Sequence, residues 1–371
     1  MKKSKLVYVI IIIALMLMMS GCKKPMSADD PKDFTASPSP TSAITEAPNI
    51  PATIVPSATP AIAPTTMPTE ISDITFEELS LEAYERFMRN ETKLSFDRYM
   101  QTDYREEALY KKGGEYTLSE VLDIVTAYYF EHSENKKIDY IDYSYIDCGK
   151  DGVNELVLRF NGMDIYNRDD DSTLVYIIKY IDDKLSLCYY YETWARSDST
   201  INQYGFYVSG GSNGASNYGM EYGLIDKEGN WQSIVYMESE ADLYQLTYLD
   251  GLEQLPSIAE ARGSLGNIEL VTIRFHENDA PSAELGNPEY FYTFYVYDDN
   301  WNQIEDEHLY TNSIYKEIFE EASVAFITPE EVSALISEKE EMVGATDEIK
   351  EGAEISWKTL GKGLYYEYVG R

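Results

Sequence analysis

Asp147, Asp151 and Glu155 recur at every fourth position of one short stretch, Tyr145-Ile146-Asp147-Cys148-Gly149-Lys150-Asp151-Gly152-Val153-Asn154-Glu155-Leu156. Counted from Asp147, carboxylates fall at loop positions one, five and nine, Gly152 stands at six and the Val153 carbonyl at seven. Alternate oxygens of such a loop turn inward while the glycine permits a tight bend, so that they converge on one hard cation. Two positions depart from the pattern. Gly149 stands where Asp or Asn is usual, and the bidentate glutamate of position twelve would fall at Leu158, while Lys150 adds a positive charge. Asp147, Asp151, the Val153 carbonyl and Glu155 are therefore expected to form at most a weak calcium site, in the millimolar range of extracellular modules. The competing reading is a strand–turn–strand in which Asp151-Gly152 makes the bend and Asp147 ties the loop's own amides.

Other residues offer less. The stretch from Tyr207 to Gly219 is glycine-rich, but it lacks the lysine and the strand–loop–helix setting of a phosphate cradle and reads as a hairpin loop. Asp169-Asp170-Asp171 reads as an acidic loop tip. His132, His276 and His308 belong to neither a nucleophile elbow nor a His-Glu-x-x-His zinc motif. Among 65 acidic residues no pair can be singled out for glycosidase work. Cys148 and Cys188 form no CxxC or Cys/His cluster, so zinc is not expected; in an oxidising compartment both a bridge and two free thiols remain open. Tyrosine is the outlier, with 33 copies, densest at Tyr189-Tyr190-Tyr191 near Trp194 and from Tyr290 to Tyr297 near Trp301. Rings with a polar tip suit ordinary sheet packing or a platform that stacks against sugars or peptides, and strand alternation sends about half of each patch to the core.

The elements that must carry these residues are legible. Thr75-Phe76-Glu77-Glu78 and Thr117-Leu118-Ser119-Glu120 are capping boxes, each followed by apolar residues at helical spacing, and they predict helices from Phe76 to Asn90 and from Leu118 to about His132. From Ile138 the texture turns to alternating Tyr, Val, Ile and Leu. Val175–Tyr180 with Leu185–Tyr189, Tyr222–Ile225 with Trp231–Met237, and Phe291–Tyr297 with Trp301–Ile304 read as three hairpins around Asp- and Asn-containing turns. Helix returns at Ser313 to Ala325 and after Thr328-Pro329-Glu330-Glu331, where proline takes the first helical position, and a last strand is expected near Ile355 to Leu360. The fold class is α+β, with N-terminal helices, a central meandering antiparallel β-sheet and a C-terminal helix.

Charge and the N-terminus bound the function. The 371-residue chain carries a formal net charge of −35, the wrong sign for neutralising phosphates, which excludes nucleic acid as a partner. Lys2, Lys3 and Lys5 precede an unbroken apolar run from Leu6 to Met19, and Ser20-Gly21-Cys22 closes it. The order basic, apolar, small is that of an export signal too short for a comfortable membrane span. Met19-Ser20-Gly21-Cys22 resembles the lipobox of bacterial lipoproteins, although that family usually has Leu, Val or Ile where Met19 stands. The resemblance implies a signal peptide over residues 1–21 and a diacylated Cys22 that anchors the mature chain in the bilayer. Residues 22–72, rich in Pro, Ser and Thr, can bury little and read as a disordered stalk. At about 50 residues its typical reach is roughly 40 Å. Residues 73–371 make the extracytoplasmic domain, with a helical subdomain possible over 73–135.

The segment from Tyr145 to Leu156 also resembles a signature, Tyr-x-x-Asp-x-(Asp/Asn)-x-Asp-Gly-x-x-Glu-Leu, of secreted proteins and lipoproteins of Gram-positive bacteria. Those chains carry a helix similar to Ala83–Phe87 upstream and a strand similar to Val157–Phe160 downstream. Carried over, the resemblance implies Asp147, Asp151 and Glu155 as side-chain ligands. The expected protein is a membrane-anchored, non-enzymatic binding domain at the cell envelope that meets a protein, peptide or glycan and carries a degenerate calcium loop. The alternatives are a glycan-binding module using surface tyrosines and an envelope hydrolase with paired carboxylates.

Overall fold

The computed structural model describes residues 75–370 apart from 99–108, 132–136, 166–171, 250, 265–266, 276–289, 299, 307, 362–364 and 366. Cys22, the stalk, Asp169-Asp170-Asp171, His132 and His276 lie outside the described residues. The first helix, α1 (Phe76–Met88), starts as its capping box requires: the Glu78 amide donates to Thr75 Oγ1 at 3.2 Å and the Thr75 amide donates to Glu78 Oε2 at 2.8 Å. The short strands β1 (Leu94–Ser95) and β2 (Glu115–Tyr116) lead to α2 (Leu118–Tyr129), capped in the same way by Thr117.

A meander follows: β3 (Tyr140–Ile146), β4 (Glu155–Met163), β5 (Ser172–Ile181) and β6 (Lys184–Thr193). Asp182 and Asp183 both take positive φ, 51° and 60°, so the β5–β6 hairpin closes on a two-residue turn whose twist matches its strands. Six more strands form a second meander: β7 (Ser197–Ile201), β8 (Phe206–Ser212), β9 (Asn217–Ile225), β10 (Trp231–Glu240), β11 (Ile268–Arg274) and β12 (Tyr290–Val296). Between β10 and β11 lies α3 (Leu255–Ala261). The chain ends with α4 (Ile314–Glu321), α5 (Pro329–Val343), α6 (Asp347–Lys350) and β13 (Lys358–Thr359). Thr328 caps α5 with Pro329 at its first position, and Gly344, at φ 77°, ends it.

The fold is α+β, and its central antiparallel strands divide into two sheets. One has the order β13-β3-β4-β5-β6-β1-β2, the other β12-β11-β10-β9-β8-β7. The single parallel contact between described strands joins β1 to β6. The third expected hairpin is much reduced. Tyr297 bridges Gln303, but the ladder partner of β12 is β11, from Ile268↔Val296 to Arg274↔Tyr290. The glycine-rich stretch is mostly strand, with Gly211 paired to Gly219. The described residues form one compact unit, so both N-terminal helices belong with the sheets.

Period-two alternation sets the layers. On β4 and β5, Leu156, Leu158, Phe160, Leu174, Tyr176 and Ile178 face the cluster that holds Tyr84 and Phe87 of α1 and Val121, Leu122 and Val125 of α2. Val157, Val175 and Ile177 turn the other way and meet Ile201, Tyr207 and Ile225 of the second sheet. The far side of that sheet is covered by Val332 and Ile336 of α5 and Ile349 of α6, and its outer end by α3 and α4 through Leu255, Ile318 and Phe319. Full burial of each such aliphatic or aromatic chain contributes about 1.5–3 kcal/mol before conformational entropy is set against it.

Candidate functional site

The β3–β4 loop joins these layers. Its bend needs left-handed backbone at Gly149 (φ 69°), Lys150 (φ 59°) and Gly152 (φ 85°). Asp147 Oδ1 accepts from the Gly152 amide at 3.0 Å and Asp151 Oδ1 from the Val153 amide at 2.8 Å. Both carboxylates therefore hold the loop's own backbone, as in an Asx-turn. The loop also reaches across to the second sheet: the Asp147 amide donates to the Gln203 carbonyl at 2.8 Å and the Gly149 amide to the Tyr204 carbonyl at 3.0 Å.

Gly149 is glycine for a physical reason. A Cβ there would lie 2.6 Å from the Lys227 amide nitrogen of the β9–β10 turn, so the Asp or Asn of a calcium loop cannot be accommodated without moving backbone.

Glu155 is fully buried and faces inward by the alternation of β4. One step beyond the Leu156↔Ile178 pairing it meets Lys179 of β5, and the carboxylate pairs with that ammonium through Oε1. Its Oε2 accepts from the Cys148 amide at 2.7 Å. Lys179 Nζ also stands 4.0 Å from Asp151 Oδ2. A lysine ammonium thus sits between the second and third carboxylates of the expected calcium set. Asp147 points into its own turn. Among the described residues, no group of three or more His, Cys, Asp or Glu side chains is placed to hold a metal ion.

Around the pair the surroundings are sealed. The Tyr84 hydroxyl of α1 donates to the Asn154 carbonyl at 2.9 Å and accepts from the Tyr180 amide at 3.0 Å, which fixes the helix on the loop. Cys188 is the extra residue of a β-bulge, since Ile177 pairs with Tyr189 and Ile178 with Leu187. Arg98 Nη1 lies 3.9 Å from its sulfur and donates to the Glu228 carbonyl at 2.7 Å, clamping the β9–β10 turn to the first sheet. Gly229 makes this contact possible, because a Cβ there would stand 2.6 Å from Cys188 Sγ. Cys148 and Cys188 are free thiols.

Burial pushes Glu155 up to about 7, against the pull of Lys179 and the Cys148 amide. Burial pushes Lys179 down, but Glu155 more than reverses this and holds the ammonium above its usual value. Burial, then the Glu155 carboxylate, raises Cys148 well above an ordinary thiol, while burial raises Cys188 to about 11 against the pull of Arg98.

The tyrosine patches divide as alternation requires. Tyr189 stacks on Trp231 at 4.4 Å and 10°, and Tyr191 tilts onto Tyr207 at 5.0 Å, all within the layer between the sheets. Tyr190 faces Tyr176 on the helix side. In the other patch, Trp301 is 63 % exposed and lies 6.4 Å from the Tyr297 ring. The three groups that sequence reasoning did not connect to the loop are Lys179, Tyr84 and Arg98. Lys179 left a signal: it is the one charge in the otherwise apolar run Val175-Tyr176-Ile177-Ile178-Lys179-Tyr180. Compared with known proteins, the chain matches no family model, no curated protein and no solved structure.

Proposed function

We propose that this chain is a membrane-anchored extracytoplasmic lipoprotein whose α+β domain binds a partner at the cell envelope without catalysis. The observation that carries the reading is the N-terminal order of Lys2, Lys3 and Lys5, the apolar run Leu6 to Met19, and Ser20-Gly21-Cys22, followed by a Pro-, Ser- and Thr-rich stalk. Acylation of Cys22 would fix the chain to the bilayer, and the stalk would hold the acidic domain clear of the headgroups. A binding rather than catalytic role is supported by the fate of the perturbed groups. Glu155, Lys179, Cys148 and Tyr84 are all buried and engaged in joining α1 and the two sheets, out of reach of a substrate. In this reading the calcium-type loop is a structural node, and Lys179 supplies the positive charge that a calcium ion would bring.

The test is Cys22→Ser in the native host. The unaltered chain should partition with membranes and carry acyl mass on its N-terminal cysteine, and the variant should be found free of the membrane. Equal partitioning of both chains, or a mature N-terminus without lipid, rejects the anchor.

A further inference from the structure

Two turns of the chain share one hydrogen-bond pattern and differ at one telling residue. In the β9–β10 turn the Asp226 amide donates to the Asn230 carbonyl, the Gly229 amide donates to the Asp226 carbonyl, and Asp226 Oδ1 accepts from the Glu228 and Asn230 amides. After β12 the Asp298 amide donates to the Asn302 carbonyl, the Trp301 amide donates to the Asp298 carbonyl, and Asp298 Oδ1 accepts from the Asn300 and Asn302 amides. The fourth position is left-handed in both, with φ 75° at Gly229 and φ 62° at Trp301. Glycine takes that backbone without steric cost, whereas a bulky side chain there is an outlier. Folding alone therefore favours glycine at position 301. The tryptophan that stands there is 63 % exposed, so its ring returns little burial for the strain.

The chain's other three tryptophans already have ring partners. Trp231 stacks on Tyr189 in the layer between the sheets, Trp357 lies 4.0 Å from the Arg159 guanidinium, and Trp194 lies 5.3 Å from that of Arg196. Tyr297 flanks Trp301 at 6.4 Å, tilted by 48°, and no described lysine or arginine stands over the Trp301 ring. Its surroundings are negative. Between Arg274 and Lys316 the sequence holds no lysine or arginine, while Asp298, Asp299, Glu305, Asp306 and Glu307 all stand within six residues of Trp301. Glu305 and Asp306 are exposed. Donors from Asn302 and Asn300 hold the Asp298 carboxyl below its usual value, so it stays charged.

We infer that Trp301 anchors an interaction surface for a basic polypeptide segment, a lysine or arginine of which lies over the indole ring. Charge complementarity and the open ring select this partner. Tryptophan attracts a cation to its face more strongly than the other aromatic side chains, and nearby carboxylates add to the pull. A sugar would need hydrogen-bond groups beside the ring, but the Asp298 carboxylate serves its own turn and Glu269 Oε2 accepts from the Tyr297 hydroxyl at 2.6 Å. Those bonds occupy the lone pairs and leave the charge, which acts on a cation at a distance. The same field repels polyanions and anionic lipid headgroups. The inference rests on the partner-binding reading above and gives that partner a chemical class; it does not depend on acylation of Cys22.

The test is calorimetry on the full chain in detergent at about 0.15 M salt, with hexaarginine and hexalysine as probes and hexaglutamate and cellohexaose beside them. At least one basic peptide should bind with a Kd of about 1 mM or tighter. Trp301→Gly leaves the net charge unchanged and should weaken that binding about threefold or more, the worth of one exposed cation–π contact. The same variant should melt no lower than the parent, because glycine suits the left-handed position. Four results would each overturn the inference: no binding of either basic peptide, tighter binding of hexaglutamate or cellohexaose, equal affinity of parent and Trp301→Gly, or a Trp301→Gly chain that melts below the parent, its ring then serving the fold. Cys22→Ser should bind the peptides as the parent does, so a failed anchor and a failed surface are told apart.

Discussion

Lys179→Met removes the positive charge from the node between the sheets and leaves Glu155 with the amide and thiol of Cys148. Both partners are buried, so solvent cannot replace the lost ammonium, and breaking a buried pair on one side costs about 3–5 kcal/mol. For a domain of about 300 residues, with an unfolding entropy of roughly 2.1 cal/mol/K per residue, that lowers the melting temperature by about 5–8 °C. The loss depends on pH in a defined direction. Burial puts Glu155 at about 7 in the folded chain, above its ordinary carboxyl value, so its protonated form is favoured by folding. That contribution is fully present below about pH 4.5, falls as pH rises and is gone above about pH 7. Without Lys179 the folded value climbs further, and the variant goes on losing about 1.4 kcal/mol per pH unit above 7, where the parent has levelled off. Melts of parent and variant at pH 5, 7 and 9 should therefore diverge with rising pH. The double variant Glu155→Leu with Lys179→Met should return to parental stability or above it, because a well-packed apolar pair avoids the desolvation of both ions. Calcium at millimolar concentration should leave the parent's melting temperature where chelator leaves it. A variant that melts with the parent from pH 5 to 9, or a gap that closes as pH rises, would refute the reasoning.

Two further outcomes follow from the same node. Gly149→Asp restores the acidic residue of a calcium loop by sequence but puts a side chain against the Lys227 backbone and a non-glycine residue at φ 69°. It should destabilise the chain by about 1–3 kcal/mol in urea melts and confer no calcium-dependent rise in melting temperature. Cys148 and Cys188, raised by burial and shielded by the β9–β10 turn, should resist a thiol reagent at pH 8 in the folded Cys22→Ser chain and react at once in guanidinium chloride. Rapid labelling of either thiol in the folded chain would show that the layers open there.

Local chemistry made much of this fold legible, and tertiary contact decided the rest. Thr75, Thr117 and Thr328 mark their helices because a hydroxyl and a carboxylate three residues apart satisfy the first turn wherever they occur. Alternation on β4 and β5 separates the helix-facing from the sheet-facing residues with no outside information. It cannot say which strands share a sheet, so one expected sheet became two, and β12 found β11 rather than Trp301–Ile304. The same limit governs the candidate sites. Asp147, Asp151 and Glu155 were visible as a spacing, but spacing does not show that Glu155 turns into the core, and the lysine opposite it comes from another strand. Two cross-strand rows of the second sheet, Ser199, Ser209, Glu221, Tyr236, Arg274 and Gly211, Gly219, Glu238, Thr272, lie still further from local reading. They draw on the five strands β7 to β11, and Tyr236 and Glu238 reach that face because Ile234 bulges out of register. In a β10 that kept Ile234 in regular pairing, Val235 and Met237 would take their places, and that face would carry apolar side chains instead. Deleting Ile234 would remove only the extra residue and leave Tyr236 opposite Glu221, so what this face presents is decided by the register of β10 and not by its composition.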